Sequence, residues 1–494
     1  MLSKISEFFR VIGELKYIIP LLRYKFPDPD DNESLAHTFE RTVSKFGLRN
    51  FIYFEEETWT YSEVNQQANI LAKKLLDDGV SHGDRVILFM ENRPDFVISI
   101  IALNKIGAIG VLINTSLTGK PLIHCINSSD SKKCIVGAEL AVPLEEVLSE
   151  INIADKTDIY WVADGNKYRC PDWSLDLKNT LDNSSEIQVT ISDKVTAKDT
   201  AFYIFTSGTT GVPKAALFPN SKIIAASVNI VKGGYRLNEK DCMYNCLPLY
   251  HSTGLMLGLC ACIQAGAATF IRRKFSASMF WEEAKKFNTT AFVYVGELCR
   301  YLSFQDPTDN EKNNPISKMV GNGLRPDLWD CFRNRFNVNR IIEIYGASEG
   351  NALFMNLLNK DQTIGMTNAK VGIFEYDVAE DKLVKDSNDK YVEVEKNQPG
   401  LLLVEIGPNA VYNGYTDKKA SEEKVIHDVM VEGDRWFNTG DLVKTMDVGF
   451  SLGRTHYQFV DRVGDTFRWK SENVSTNEVA EILNGYNQVN ICLL

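Results

Sequence analysis

The sequence has no long uninterrupted apolar run. Its two most apolar stretches are Phe96 to Leu112 and Leu255 to Ile271. Asn104, Lys105 and Gly107 break the first, and Gln264 with several glycines breaks the second. Each predicts a buried helix, a glycine break and a buried strand, not a membrane span. Positive charge is not in excess either. A net charge of −11 over 494 residues argues against binding by broad phosphate neutralisation, so no nucleic-acid partner is expected. The ten cysteines include no CxxC pair and no His/Cys cluster with zinc spacing. They predict buried free thiols in a reducing compartment. Internal repeats and low-complexity segments are missing as well. The composition, 44% hydrophobic and 24% charged, is that of a globular protein with length for roughly two to four domains.

The first 25 residues carry Lys4, Arg10, Lys16, Arg23 and Lys25 against Glu7 and Glu14. Phe8, Phe9, Ile12, Leu15, Ile18 and Ile19 recur near helical spacing. Such a basic amphipathic helix can lie in an anionic membrane surface or pack on its own domain. It lacks the apolar core and cleavage site of a signal peptide. From about residue 34 to 300, short apolar runs alternate with helix-like segments. Arg85–Met90, Val111–Ile113, Phe202–Phe205, Asp241–Leu247 and Ala267–Ile271 read as strands. Alternation of this kind implies largely parallel sheet with helices on both faces. Between about 365 and 460, runs such as Leu401–Ile406 and Gly372–Asp377 sit among Gly, Pro and Asp clusters. They predict antiparallel, barrel-like β structure. Gln305–Asn314 reads as a surface loop.

The most informative stretch is Tyr203-Ile-Phe-Thr-Ser-Gly-Thr-Thr-Gly-Val-Pro-Lys214. A buried strand ends in small hydroxyl and glycine residues. Gly208 and Gly211 can turn backbone N–H groups toward a phosphate. Thr206, Ser207, Thr209 and Thr210 add hydroxyl donors, and Lys214 adds a cation. The pattern is not a Walker loop, because Pro213 stands where a helix would have to open.

This run resembles the phosphate-loop signature of the acyl-adenylate-forming superfamily, and further segments extend the likeness. Leu247-Pro-Leu-Tyr-His-Ser-Thr-Gly254 resembles its aromatic/His segment beside the acyl pocket, where His251 would help to position the carboxylate. Gly321-Asn-Gly-Leu-Arg325 is similar to the turn against adenine, with Gly321 and Gly323 letting a flat base approach the backbone. Tyr345-Gly-Ala-Ser-Glu-Gly-Asn351 implies that Tyr345 and Gly346 lie near adenine, that Ser348 contacts phosphate and that Glu349 binds Mg²⁺. Thr206 is the other expected metal contact. Mg²⁺ takes hard oxygen ligands, often one carboxylate plus substrate phosphates. Trp436-Phe-Asn-Thr-Gly-Asp-Leu442 resembles the ribose segment. There Asp441 would accept from both ribose hydroxyls and Arg462 would reach ribose or phosphate.

Phe459 to Val474, together with Glu91-Asn-Arg-Pro-Asp-Phe96, Tyr294 to Arg300 and Asn413 to Asp417, resembles the fatty-acid transport protein / very-long-chain acyl-CoA synthetase branch. The resemblance implies an α/β fold. It would comprise a large adenylate-forming N-terminal domain of two parallel-type α/β subdomains plus a distorted β-barrel. Residues 1–25 would form a membrane-associating segment, 26–461 the adenylation domain, and 462–494 a hinge and the stub of a nearly absent C-terminal domain. ATP, Mg²⁺ and coenzyme A are the implied cofactors. The implied function is ATP-dependent activation of long- or very-long-chain fatty acids to acyl-AMP and then acyl-CoA, coupled to their uptake; the alternatives are a catalytically impaired fatty-acid binding or transport protein, or an adenylating enzyme for another carboxylate. The implied place is the cytosolic face of endoplasmic reticulum, peroxisome or plasma membrane. Ser471 departs from the family, which usually has Gly along the pantetheine channel. The chain also ends at Leu494, where family members continue into a small domain bearing a lysine for adenylation. Loss of such a cation is expected to slow adenylation by ~10²–10³, by analogy with oxyanion-hole donors, and to impair thioester formation.

Overall fold

The computed structural model describes residues 2–153, 155–165, 168–181, 187–206, 213–346, 350–377, 380–408, 410–412, 414–463, 466–469 and 472–475. Two compact units emerge. The larger comprises Tyr17–Gly321 and Phe336–Arg340, the smaller Met1–Lys16, Asn322–Arg335 and Ile341–Leu494.

The larger unit holds a seven-stranded sheet. Its order is Leu175–Asp176, Ile159–Val162, Lys133–Gly137, Arg85–Phe89, Ile109–Leu112, Thr200–Thr206 and Lys214–Pro219. Neighbours are parallel up to Thr200–Thr206, and the last pair is antiparallel. The central strands are almost wholly buried, because helices cover a parallel sheet on both faces and favour unbroken Val/Ile runs. A second sheet of this unit runs Lys318–Asn322, Ala291–Val295, Cys242–Asn245, Ala268–Ile271, Asn50–Phe54 and Glu57–Thr60. It is parallel from Ala291–Val295 through Asn50–Phe54 and ends in an antiparallel hairpin.

Both ambiguous apolar runs resolve as expected, with one surprise. Pro94–Lys105 is a helix, Gly107 follows, and Ile109–Leu112 is a strand. In the second run Thr253–Cys260 winds as a π-helix before the α-helix Ala261–Ala265, Gly266 and the strand Ala268–Ile271. π-Helical turns are rare and gather at functional sites. Gly254 and Gly258 fit this winding: a Cβ would lie 2.5 Å from Pro248 O in one case and 2.3 Å from Asn245 Nδ2 in the other. Gln305–Asn314 is less open than expected. Asp309–Lys312 forms a helical turn with Glu311 buried, capped by Asn314 Nδ2 donating to Glu311 O at 2.7 Å.

Asn92 joins the two sheets. Its Nδ2 donates to Leu247 O at 2.8 Å and Arg272 O at 3.1 Å, while its Oδ1 accepts from Leu249 N at 2.8 Å. Next to it, Arg93 is buried and ion-paired with Glu139 at 3.1 Å and Asp95 at 2.9 Å. The Glu91–Phe96 motif is therefore structural. None of the nine described cysteines forms a disulfide with another described residue. Burial pushes Cys125, Cys134, Cys242, Cys246 and Cys260 up to about 12, so they stay protonated thiols.

In the smaller unit the antiparallel region is an open five-stranded sheet. Among the described residues it does not close into the expected barrel. Its order is Val371–Phe374, Gly400–Glu405, Arg435–Met446 and Val425–His427, with His456–Arg462 also on Arg435–Met446. The twelve-residue strand Arg435–Met446 lends one edge first to Val425–His427 and then to His456–Arg462. The far edge of His456–Arg462 meets only an isolated bridge, Gly365 to Tyr457. The four-residue Val371–Phe374 edge lies across the sheet from it. Closure would need those two edges to pair.

Leu2–Leu22 is helical. Within the smaller unit, Arg10 donates to Leu358 O at 2.8 Å and Asn359 O at 3.1 Å. Glu7 pairs with Arg10 at 2.7 Å and also meets Lys360. Ile5, Phe8, Phe9 and Ile12 nevertheless stay exposed, and the Phe8 ring lies 6.0 Å from that of exposed Phe450. The helix thus packs by a polar clamp while keeping an apolar face outward.

Candidate active site

The phosphate-binding run begins on a strand whose every side chain has a packing reason. Phe202 and Ile204 are buried, and Tyr203 and Phe205 pack on the core formed by Ile87, Phe89 and Val111. That anchoring sets Thr206 at the strand end, in antiparallel register with Lys214. Ser207, Gly208, Thr209, Thr210 and Gly211 lie outside the described residues. Their two flanks are fixed as the stem of a hairpin. The Thr206 Oγ1 is buried and has no hydrogen-bond partner among the described residues. A lone buried hydroxyl at a strand end suits a ligand oxygen or a hydrated cation, since burying it unmet is unfavourable.

The Leu247–Gly254 segment is held by the Asn92 bonds. His251 reaches solvent, and its Nδ1 lies 3.4 Å from Thr253 N, as acceptor. The protein around the ring lowers its pKa by desolvation, so it is neutral at physiological pH with Nε2 protonated. Gly321 faces a nearer constraint than a base. A Cβ there would lie 2.1 Å from Tyr294 O on the neighbouring strand. Chain packing alone therefore demands glycine. Gly323 sits at φ +80°, a conformation glycine adopts freely.

In the smaller unit three predicted side chains meet. Tyr345 ends the strand Arg340–Tyr345, and its Oη donates to Asp441 Oδ2 at 2.5 Å. Asp441 stands opposite Arg462 across the Arg435–Met446/His456–Arg462 ladder. The Arg462 Nε lies 3.6 Å from Asp441 Oδ1, with the arginine side chain 70% exposed and the aspartate 10%. Burial, and then the Asp441 charge, raise the Tyr345 pKa well above its ordinary value. Its phenol therefore remains a donor at every physiological pH. The Tyr345 ring is set edge-on to Phe354 at 5.4 Å and tilted on Phe459 at 6.2 Å. Thr439 completes the turn: its Oγ1 donates to Leu402 O at 2.9 Å and accepts from Asp441 N at 3.1 Å. Gly346 is close-packed, since a Cβ would lie 3.1 Å from Ala352 O. Ser348 and Glu349 lie outside the described residues. The described residues include no group of three or more His, Cys, Asp or Glu arranged to hold a metal. An Mg²⁺ that arrives on phosphate oxygens needs no such cage.

One family model matches most of the chain, and its span includes the hairpin-stemmed loop and Tyr345. The AMP-binding enzyme model matches residues 39–416.

The chain belongs to the AMP-binding enzyme family.

Among its AMP-binding relatives, the medium/long-chain-fatty-acid–CoA ligase FadD6 of Mycobacterium tuberculosis is 36% identical over 465 residues, covering 94% of this chain and 74% of that protein. Long-chain fatty acid transport protein 6 of Mus musculus is 36% identical over 488 residues, covering 97% and 76%. The AMP-binding fold also matches solved structures. The anthranilate CoA ligase AuaEII in complex with anthranoyl-AMP aligns with TM-score 0.75 at 18% identity, covering 96% of this chain and 85% of that one. The long-chain-fatty-acid-CoA ligase FadD1 from Archaeoglobus fulgidus aligns with TM-score 0.69 at 20% identity, covering 94% and 88%.

Sequence reasoning singled out neither Thr439 nor His124. Thr439 lay inside a quoted motif. His124, which donates to Pro213 O at 3.0 Å, carries no motif signal at all. Asn351 closed a quoted motif without a role. Its Nδ2 donates to Glu405 O at 3.1 Å and Ala410 O at 3.0 Å, pinning the chain just after Glu349.

Proposed function

We propose that this protein activates long-chain fatty acids with ATP, first to acyl-AMP and then to acyl-CoA, and so supports their uptake. The observation that carries the reading is the hairpin stem. It sets an unpartnered buried hydroxyl, Thr206, in register with a cation, Lys214, at the two ends of a Gly/Thr loop. The kinship with fatty-acid CoA ligases and transport proteins supports the acyl substrate.

In this reading a fatty carboxylate oxygen attacks the α-phosphorus. The new P–O bond forms as the bond to the pyrophosphate oxygen breaks. The CoA thiol then attacks the acyl carbon, its proton is lost, and AMP leaves. Charge gathers on phosphoryl oxygens, so catalysis is positional and electrostatic. Lys214 and the loop donors hold the phosphates. Neutral His251 offers an Nε2–H to the carboxylate without pairing with it as a fixed cation. Tyr345 locks Asp441 as an acceptor for ribose hydroxyls, with Arg462 beside it. Thr206 and Glu349 would hold Mg²⁺, which would neutralise phosphate charge.

Membrane attachment is part of the proposal. No described helix is long and apolar enough to cross a membrane. The exposed Ile5, Phe8, Phe9 and Ile12, with Phe450 and Leu452, offer instead a surface that can dip into one leaflet.

ATP–pyrophosphate exchange driven by oleate tests the enzyme assignment. Exchange above background is expected, with Lys214→Ala losing about 10²–10³ in rate. Fatty-acid binding without exchange in the native protein would refute it.

A further inference from the structure

We infer that the segment Asn114–His124 is a strap that holds the peptide leading into Lys214, with His124 as the positioning residue. The inference rests on the adenylating reading above for the loop's role, and on contacts outside every motif for the strap.

The strand Ile109–Leu112 lies parallel to Thr200–Thr206, with Gly110 opposite Phe202 and Leu112 opposite Ile204. Parallel neighbours deliver their C-terminal ends to the same sheet edge, which is where ligands bind in open α/β sheets. The chain leaving Leu112 therefore emerges beside the end of Thr200–Thr206. It turns at once: Asn114 Oδ1 accepts from Ser116 N at 2.9 Å, and Asn114 O from Leu117 N at 3.1 Å. The helix Gly119–Ser128 follows, anchored by buried Leu122, Cys125 and Ile126.

His124 lies on the exposed side of that helix. Its Nε2 is 3.0 Å from Pro213 O. A carbonyl only accepts, so Nε2 must carry the proton. Pro213 immediately precedes Lys214, and its carbonyl belongs to the peptide that leads into the lysine. Fixing that carbonyl fixes the plane from which Lys214 departs.

The test compares His124→Ala with His124→Gln, whose amide can still donate. His124→Ala is expected to raise the KM for ATP about three- to tenfold, the size of one lost hydrogen bond, and to change kcat little. His124→Gln should recover most of that loss. Independently of catalysis, amide exchange of a peptide spanning Thr200–Pro219 should be faster in His124→Ala than in the native protein or His124→Gln. Equal exchange in all three, or equal defects in Ala and Gln variants, would overturn the strap. Failure of the native protein to exchange pyrophosphate would instead strike the functional reading, and the amide measurement would still judge the strap.

Discussion

Replacing Tyr345 by Phe deletes one oxygen and leaves the rest of the ring in place. The contacts to Phe354 and Phe459 survive, so the change isolates the 2.5 Å bond to Asp441. A hydrogen bond to a charged group is worth about 1.5–3 kcal/mol net, and breaking it leaves a buried carboxylate short of a donor. The ionic partner across the ladder is poor compensation. Arg462 stands 3.6 Å away with 70% of its side chain exposed, and an exposed pair contributes roughly 0–1 kcal/mol. Tyr345→Phe should therefore destabilise the ligand-free protein by about 1.5–3 kcal/mol, and Arg462→Ala by less than about 1 kcal/mol. Equilibrium urea unfolding followed by far-UV circular dichroism gives both numbers. A double-mutant cycle with Asp441→Asn should return a coupling energy within the roughly 0.5–3 kcal/mol seen for touching residues. The reasoning fails if Tyr345→Phe lies within about 0.5 kcal/mol of the native protein, the usual range for featureless surface sites. It fails equally if Arg462→Ala is the more damaging change.

Other outcomes can be stated briefly. His456 is fully buried, with neither ring nitrogen hydrogen-bonded among the described residues, and burial lowers its pKa from 6.5 to about 4. The unfolded chain takes up this proton first, so stability should be intact above pH 6.5 and fall by about 3 kcal/mol as pH drops to 4. His456→Phe should flatten that part of the stability–pH curve, and an unchanged slope would show that another group titrates. Phe9→Glu and Phe450→Glu should each reduce co-sedimentation with anionic vesicles at unchanged exchange activity. If both variants bind vesicles like the native protein, the apolar face is not the contact. Lys214→Ala and His124→Ala give two further tests, already described, one of chemistry and one of positioning.

The alternating apolar runs made the larger unit readable before any coordinates existed. A buried parallel strand needs an unbroken apolar stretch, and Arg85–Phe89 shows one, whereas the shorter Lys133–Gly137 does not announce itself. Glycine breaks at Gly107 and Gly266 fell where two helices hand over to strands. Three features were not legible. The π-helical winding of Thr253–Cys260 depends on carbonyls of Leu247 and Pro248 that lie against Gly254, which no local propensity reports. The open edge of the antiparallel sheet depends on which strands find partners, not on their alternation. At the site, glycine and acid residues announced themselves by motif, whereas His124 acts through one long-range bond to a backbone carbonyl. Gly321 is instructive in the opposite sense. Its place in a motif suggested room for a base, and the neighbouring Tyr294 carbonyl already requires it.

The three bonds of Asn92 have a kinetic corollary. A carboxamide that offers its donors to one pair of strand ends and its acceptor to the same loop cannot release one sheet while keeping the other. The ends of Arg85–Phe89, Cys242–Asn245 and Ala268–Ile271 should then open together, as a single cooperative block with one shared protection factor. Asn92→Asp keeps the shape and loses both donors, so it should split that block into two that exchange at separate rates.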